Sequence, residues 1–250
     1  MHRQFERRVG DARFLLAGDS GIVVEFGNTV DRALSARVLL LRQALEAARP
    51  EGVTDLIPTF RSLLVQYDPL QADPLRLIDE IAALLGAAGA AEAPGRLWQL
   101  PSCYDEEFAP DLADVAQRTG MKPAEVVELH AAQEYLVYFL GFLPGCALMG
   151  DLPAALELPR RTEPRVRVPA GSVAIAMKLT IVYPLVSPGG WHLIGNCPVR
   201  LFQAQLDRPN LLSPGDRVRF RPVSPREHAE IRRKEEAAKS FDHIEDYLLP

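Results

Sequence analysis

The chain has 250 residues, of which 48% are hydrophobic and 24% charged; this ordinary globular composition excludes extensive disorder. Its net charge of -5 argues against a general binder of nucleic acid or of anionic membranes. Three scattered cysteines, an N-terminus without a long apolar core and the absence of a membrane-length apolar run predict a cytoplasmic protein with no metal site and no membrane partner.

Residues 1–92 have the pattern of a small α/β domain. A β-branched run at 22–26 predicts a strand, and Asp31 can cap the helix that follows. Two strands at 53–60 and 62–67 come next, and a second helix starts after Asp73. The order strand, helix, strand, strand, helix needs one more strand to complete a ferredoxin-like unit.

The segment 86–95 is rich in glycine, alanine and proline, which predicts a linker. The domain predicted at 93–232 begins with a strand at 97–100 and two short helices at 111–117 and 123–132. Short strands separated by proline and glycine then predict a closed or nearly closed β-barrel. These strands are expected at 135–142, 166–168, 172–176, 180–183, 192–194, 199–202 and 217–221. The composition of residues 233–250 predicts a charged tail.

Generic catalytic motifs are missing from the sequence. It contains no GxxxxGK[ST] loop, no HExxH pair and no GxSxG elbow. The stretch Gly18-Asp19-Ser20-Gly21 has the composition of a turn. A site for ATP in this chain would therefore be unconventional or shared with a partner.

Several ordered segments carry a family resemblance. They include Val24-Glu25-Phe26-Gly27, Tyr67-Asp68-Pro69, Pro164-Arg165, Val168-Pro169-Ala170-Gly171-Ser172-Val173 and Ser187-Pro188-Gly189-Gly190-Trp191. Together they resemble the family of 5-oxoprolinase B subunits, also labelled allophanate hydrolase subunit 1 or KipI, over roughly residues 13–232.

The resemblance implies a fold and an activity. The fold is an α+β arrangement of an N-terminal ferredoxin-like domain and a C-terminal cyclophilin-like β-barrel. The activity is the ATP-dependent opening of 5-oxoproline to glutamate, performed together with A-type and C-type subunits. Two alternatives stay open. One is a regulatory binder such as a sensor histidine kinase inhibitor, and the other, from fold analogy alone, is a prolyl isomerase.

The candidate catalytic residues are His130 and Arg165. An unperturbed imidazole suits acid–base work, and guanidinium groups match carboxylate geometry. Arg161 is assigned to substrate binding on the same grounds, whereas Arg160 and Arg167 are assigned to a solvated strand face.

Further substrate-binding candidates come from loops and strands of the predicted barrel. Gly145 follows the aromatic strand and can bring backbone amides close to a ligand. Ser172 offers a hydroxyl, and Trp191 can wall a pocket or anchor its loop in the core. Thr180 and Tyr183 are assigned with the family-like segment that contains them.

This chain departs from the family near the expected site. Family members read close to Gly-Gly-Gln-Thr-Gly-Ile-Tyr-Pro where this chain has Met177-Lys178-Leu179-Thr180-Ile181-Val182-Tyr183-Pro184. The loop 146–149 also lacks the usual Phe and Tyr. Leu179 can neither donate nor accept a hydrogen bond, and Met177 is not expected to hold a positive φ. We therefore expect an altered, more apolar pocket or a loss of catalysis.

Overall fold

The structure is a computed structural model that describes residues 5–87, 95–238, 240–241 and 244–249. The chain divides into two compact units, residues 1–94 and 95–250. The linker predicted at 86–95 falls mostly outside the described residues.

The first unit is a five-stranded antiparallel sheet with two helices. Its elements are β1 (Glu6–Val9), β2 (Ala12–Leu16), β3 (Gly21–Glu25), α1 (Arg32–Ala48), β4 (Val53–Pro58), β5 (Ser62–Tyr67) and α2 (Pro74–Ala87). The strands lie in the order β1-β2-β3-β5-β4. The sequence pattern needed one further strand; in the structure β2, which precedes β3 in the chain, pairs with β3.

The helices of this unit begin and pack as their sequences dictate. Asp31 caps α1, because its carboxylate accepts hydrogen bonds from the backbone amides of Ala33 and Leu34. Val38, Leu41 and Leu45 point from α1 into the core and are almost fully buried. They pack with apolar residues of the sheet and of α2 in one cluster.

The second unit contains most of the strands. Its first elements are β6 (Leu97–Ser102), α3 (Leu112–Thr119), α4 (Pro123–Ala132), β7 (Tyr135–Leu140), β8 (Ala147–Gly150), β9 (Arg165–Val168), β10 (Ser172–Ala176) and β11 (Leu179–Val182). The remaining elements are β12 (Ser187–Gly189), β13 (His192–Asn196), β14 (Arg217–Pro222), α5 (Pro225–Ala237) and β15 (Leu248–Leu249), with single 3-10 turns at Ala154–Leu156 and Ile244–Tyr247.

Eight of these strands form one mixed sheet in the order β13-β10-β11-β8-β7-β14-β6-β15, and β9 pairs only with β12. The sheet is open between its edges among the described residues, so the expected barrel is not closed by a ladder. It nevertheless curls, because Cys103, just after β6, exchanges two backbone hydrogen bonds of 2.8 Å with Asn196 at the end of β13. The core lies inside this curl.

Two segments differ from the sequence expectation. Residues 199–202 form no strand, because the amide of Arg200 donates to the carboxylate of Glu235 instead of to a neighbouring strand. Val199 and Leu201 are nevertheless buried, because they pack in the core. In the segment predicted as a charged tail, Tyr247 and Leu248 pack against the core and β15 pairs with β6.

Candidate functional site

A pocket of about 310 Å³ lies in the second unit, between the β9–β12 ribbon and the large sheet. Aromatic, cationic and glycine residues converge there, which is the composition expected of a small-molecule site. Its lining comprises Phe142, Cys146, Leu148, Arg160, Arg161, Pro164, Ile181, Tyr183, Pro188, Gly189, Gly190 and Trp191.

The pocket uses the face of the sheet that is turned away from the core. Side chains of a strand alternate between its two faces. In β8, Leu148 lines the pocket whereas Ala147 and Met149 lie in the core; in β11, Ile181 lines the pocket and Val182 lies in the core. The pocket is therefore outside the curled sheet, and the ribbon forms its other wall.

Two further cavities carry less chemistry. A cavity of about 270 Å³ in the first unit has Asp11 and Arg37 as its charged lining residues. These two bind each other through two hydrogen bonds of 2.6 Å, so neither charge is left for a ligand. A shallow groove beside α4 contains Arg219 and Arg221, which pair with Glu134 and Glu227.

Two arginines occupy one wall of the pocket. The guanidinium of Arg160 lies 5.8 Å from the ring centroid of Trp191, within cation–π range. The Arg161 amide donates to the carbonyl of Gly190 at 2.8 Å and so ties this segment to the loop after β12. Arg160 is exposed, as a solvated position would be, but it lies outside any strand and its guanidinium also faces the aromatic wall.

Asp111 holds two of the arginines together. Its Oδ1 accepts from Nη1 of Arg161 at 3.0 Å and from Nη2 of Arg165 at 2.6 Å, and its Oδ2 accepts from the amide of Leu193 at 2.7 Å. Asp111 is only 3% exposed. Two guanidinium charges thus face one carboxylate, which leaves the region with excess positive charge.

Tyr183 forms the floor of the pocket between these groups. The residue is 1% exposed, and its ring meets that of Phe142 edge-on at 6.3 Å. Burial raises the pKa of Tyr183 to about 12, partly offset by Arg160, by the backbone amide of Trp191 and by Arg165. The hydroxyl is therefore protonated at neutral pH.

Four of the predicted site residues share this region. Arg161, Tyr183 and Trp191 line the pocket directly. Arg165 is not part of the described lining, but it shares Asp111 with Arg161.

His130 lies on the other side of the sheet. Its Nδ1 is 2.9 Å from the Tyr104 hydroxyl, and its Nε2 is 3.0 Å from Oγ1 of Thr180, which in turn donates to the carbonyl of Ala174. The residue is fully buried, and burial lowers the pKa of its imidazole to about 3. His130 stays neutral at physiological pH and is not among the described lining residues of the pocket, so its catalytic role stays a prediction. Thr180 belongs to the same buried network.

Gly145 and Ser172 are also absent from the described lining of the pocket. Gly145 has φ of +77°, and a Cβ there would lie 2.6 Å from Cβ of Phe202, so glycine is required for the turn itself. Ser172 is 3% exposed and pairs across the sheet with Asn196. The predicted contact of Gly145 and Ser172 with substrate therefore stays a prediction that the pocket lining does not support.

Sequence reasoning misses several residues of the pocket region. The position of Asp111 predicts only a helix start, although its carboxylate makes no capping hydrogen bond to α3. Phe142 is predicted as the end of a strand, but it has φ of +71° and is 68% exposed at the pocket. A bulky residue with positive φ is uncommon, and such residues concentrate at functional sites. No local sequence signal predicts that conformation.

The family departures fall only partly at the pocket. Cys146, Leu148 and Ile181 are among its lining residues, so these departures lie at the pocket. Leu179 is not among the described lining residues. Met177 keeps φ of +53° in the two-residue turn between β10 and β11, which corrects the expectation that it could not.

The described residues contain neither a cluster of metal-ligand side chains nor a membrane-spanning helix. Within the described ranges, no group of three or more His, Cys, Asp or Glu side chains could hold a metal ion. None of the helices in the part of the chain that the structure describes is both long and apolar enough to cross a membrane.

Comparison with known proteins first defines the class. Residues 12–212 match the family model described as "Carboxyltransferase domain, subdomain C and D". The crystal structure of urea carboxylase from Kluyveromyces lactis superposes with a TM-score of 0.74 at 20% identity, covering 91% of this chain and 23% of that one. At this identity the likeness concerns the fold alone, a mixed α/β architecture.

Curated relatives then define the particular family. The B subunit of 5-oxoprolinase from Escherichia coli O157:H7 is 41% identical over 211 residues, which cover 84% of this chain and 96% of the relative. The B subunit of 5-oxoprolinase from Bacillus subtilis (strain 168) is 36% identical over 222 residues, covering 84% and 92%. The chain therefore belongs to the family of 5-oxoprolinase B subunits within the carboxyltransferase class, and the resemblance seen in the sequence is confirmed.

Proposed function

We propose that the chain is the B subunit of an ATP-dependent 5-oxoprolinase, an amide-bond hydrolase that opens 5-oxoproline. The single observation that carries this proposal is the pocket in which Arg160 and Arg161 face the aromatic walls Tyr183 and Trp191. The names of the relatives at 36–41% identity point the same way.

The pocket matches the substrate in chemistry and size. 5-Oxoproline carries a carboxylate and a lactam on a five-membered ring. The excess positive charge around Asp111 suits the carboxylate, since guanidinium forks bind carboxylates well. Trp191, Phe142 and Ile181 offer apolar surface to the ring. A volume of about 310 Å³ is enough for a ligand of this size.

The proposal includes partners and ATP. A C-type subunit, similar to allophanate hydrolase subunit 2, and an A-type subunit would complete the reaction, since the relatives are themselves named as one lettered subunit of an enzyme. The sequence has no nucleotide loop, so ATP would be bound within the complex. The three cysteines are free and buried, in keeping with a cytoplasmic complex.

We also propose names for the two parts of the chain. The antiparallel order β2-β3-β5-β4 with two helices supports a ferredoxin-like domain at 1–92. The curled sheet, seven of whose eight strands lie within these bounds, supports a cyclophilin-like domain at 93–232. Its eighth strand, β15, belongs to the appended segment 233–250.

The test is ATP hydrolysis by the complex reconstituted with A-type and C-type subunits, with and without 5-oxoproline. We expect 5-oxoproline to stimulate hydrolysis and Arg161→Ala or Arg165→Ala to abolish that stimulation. Arg167→Ala, an exposed neighbour on β9, is the matched control and should keep it. An assembled complex that ignores 5-oxoproline would refute the proposed substrate.

The regulatory alternative gains no support from the relatives compared above. A sensor histidine kinase inhibitor needs no pocket chemistry, so pocket variants would leave kinase binding intact. Binding of a kinase domain that survives Arg161→Ala, combined with absent turnover, would favour that alternative.

A further inference from the structure

The hydroxyl of Tyr183 is held in an unusual way at the floor of the pocket. It is packed so closely against Gly189 of β12 that a Cβ at this glycine would overlap with the hydroxyl oxygen. The glycine has an ordinary backbone conformation, so close approach, and not a positive φ, is what requires it. In the motif Pro188-Gly189-Gly190, the first glycine is thus needed because it leaves room for the Tyr183 hydroxyl.

The hydroxyl of Tyr183 is free to donate a hydrogen bond. The backbone amide of Trp191 lies near its oxygen and lowers the pKa of the group. Among the described residues, no acceptor receives its proton. A buried phenol whose proton has no acceptor in the protein can donate a hydrogen bond to a group that fills the adjacent space.

Neighbouring charges strengthen that donor. The guanidinium groups of Arg160 and Arg165 act on the Tyr183 hydroxyl, and Arg160 itself lines the pocket. Positive charge beside a hydroxyl makes its hydrogen more positive and its hydrogen bond to a neutral acceptor stronger. The ring is fixed by its burial, so the direction of the donor is set before a ligand binds.

We propose that Tyr183 is the group that donates a hydrogen bond to the carbonyl oxygen of a small cyclic amide in the pocket, with the close packing of Gly189 holding the hydroxyl in place. This inference rests on the proposed function, because it assigns the lactam end of the substrate to Tyr183 while the arginines take the carboxylate. No proton is transferred in this role. The donor polarises the carbonyl and stabilises the negative charge that its oxygen gains when the amide is attacked.

The experiment compares two ligands in the ATPase assay of the reconstituted complex. 5-Oxoproline has the carbonyl, and its kcat/KM is measured as a substrate. Cyclopentanecarboxylate has the ring and the carboxylate but no carbonyl, and its inhibition constant is measured. Tyr183→Phe should lower kcat/KM for 5-oxoproline by about tenfold or more, the value of one hydrogen bond, and leave the inhibition constant of cyclopentanecarboxylate within about twofold.

Gly189→Ala provides a second variant that keeps the tyrosine. Its added methyl displaces the hydroxyl, so it should show the same selective loss. Arg167→Ala is the control, because this exposed side chain lies outside the described pocket lining. The ratio of the two constants should stay at the wild-type value in that variant.

Each outcome decides between the possibilities. Equal losses for both ligands in Tyr183→Phe would mean that the residue only shapes the pocket, and no loss would mean that the hydroxyl is idle; either overturns the inference while the proposed function stands. A wild-type complex that neither binds nor turns over 5-oxoproline would overturn both.

Discussion

Asp111 shows how one buried carboxylate can organise a site. The position before a helix normally directs an acidic side chain to the first free backbone amides. Here the carboxylate turns away from α3 and is shared by Arg161, Arg165 and the amide of Leu193. A charge this deeply buried is tolerated only because every oxygen is engaged.

Asp111→Asn should destabilise the fold measurably. The amide keeps the shape but leaves two guanidinium groups without their counter-charge, so we expect a loss of about 3 kcal/mol in the free energy of unfolding. Glu230→Gln is the control, because its pair with Arg226 is exposed on α5 and contributes at most about 0.5 kcal/mol. Urea unfolding measures both; equal effects would contradict the role given to Asp111.

Two buried histidines make stability depend on pH. Burial lowers the pKa of His130 to about 3 and that of His228 to about 4, with Arg232 adding to the effect on His228. In the unfolded chain both have pKa values near 6.5 and bind protons first. Their contribution to stability is therefore complete above about pH 6.5 and is lost as the pH falls toward the folded-state pKa values.

The dependence of the free energy of unfolding on pH is measurable between about pH 6 and 5, above the range where most carboxylates titrate. The unfolded chain binds nearly two more protons there, which corresponds to a loss of roughly 2.5 kcal/mol per pH unit. His228→Gln should halve that slope in urea titrations at a series of pH values. A slope that the variant leaves unchanged would show that His228 is protonated in the folded chain.

At the scale of elements, local patterns predict what local interactions determine. The strand at 62–67 and the helix capped by Asp31 are predictable because alternation and capping are written in adjacent residues. β12, with the sequence Ser-Pro-Gly, is not, because nothing intrinsic favours a strand there. It is extended because it pairs with β9. Conversely, residues 199–202 have strand-like composition, but their pairing amounts to one isolated bridge between Phe202 and Asn210 rather than a ladder.

Alanine variants of two glycines allow the cost of backbone strain to be measured apart from the cost of a steric clash. Gly120 ends α3 with φ of +71° and open space around it, whereas Gly145 has φ of +77° and Phe202 at its back. Gly120→Ala should cost about 1 kcal/mol from backbone strain alone. Gly145→Ala should cost roughly 2 kcal/mol more, because the loop must also move away from Phe202. Thermal and urea unfolding measure the loss in free energy of unfolding for both variants. Equal losses would show that the loop at Gly145 adapts freely and would contradict the prediction.

At the scale of the whole molecule, each unit carries its own core. The buried cluster of the first unit contains only residues from 12 to 81, and that of the second only residues from 98 to 220. Since a domain folds alone when its own apolar surface is buried internally, residues 95–250 and 1–94 should each fold when produced separately.

This prediction has a direct readout in circular dichroism and calorimetry. The separate piece 1–94 should unfold cooperatively, and Leu41→Ala in it should cost about 3 kcal/mol, as expected for a buried leucine. In the piece 95–250, Leu100→Ala is the matching test. Pieces that lack a cooperative transition would show that the cores depend on each other.

The candidate site is predictable only in part, for a reason of scale. Trp191 and Tyr183 can be found from the sequence because they stand beside glycine and proline motifs. The partnership of Asp111 with arginines 50 and 54 residues away depends on the folded sheet and has no local signature. The surroundings of His130 cannot be predicted locally either, because the burial of its ring is a tertiary property.

Because the pocket lies on the outer side of the curled sheet, a single strand contributes alternate side chains to the core and to the pocket. In β11, Thr180 and Val182 serve the interior, whereas Ile181 borders the pocket. Replacing one set of side chains leaves the packing of the other intact. Side chains at the pocket can therefore differ between relatives without a change of architecture, and Ile181 is the residue of this chain's unusual 177–181 segment at which such a difference reaches the pocket.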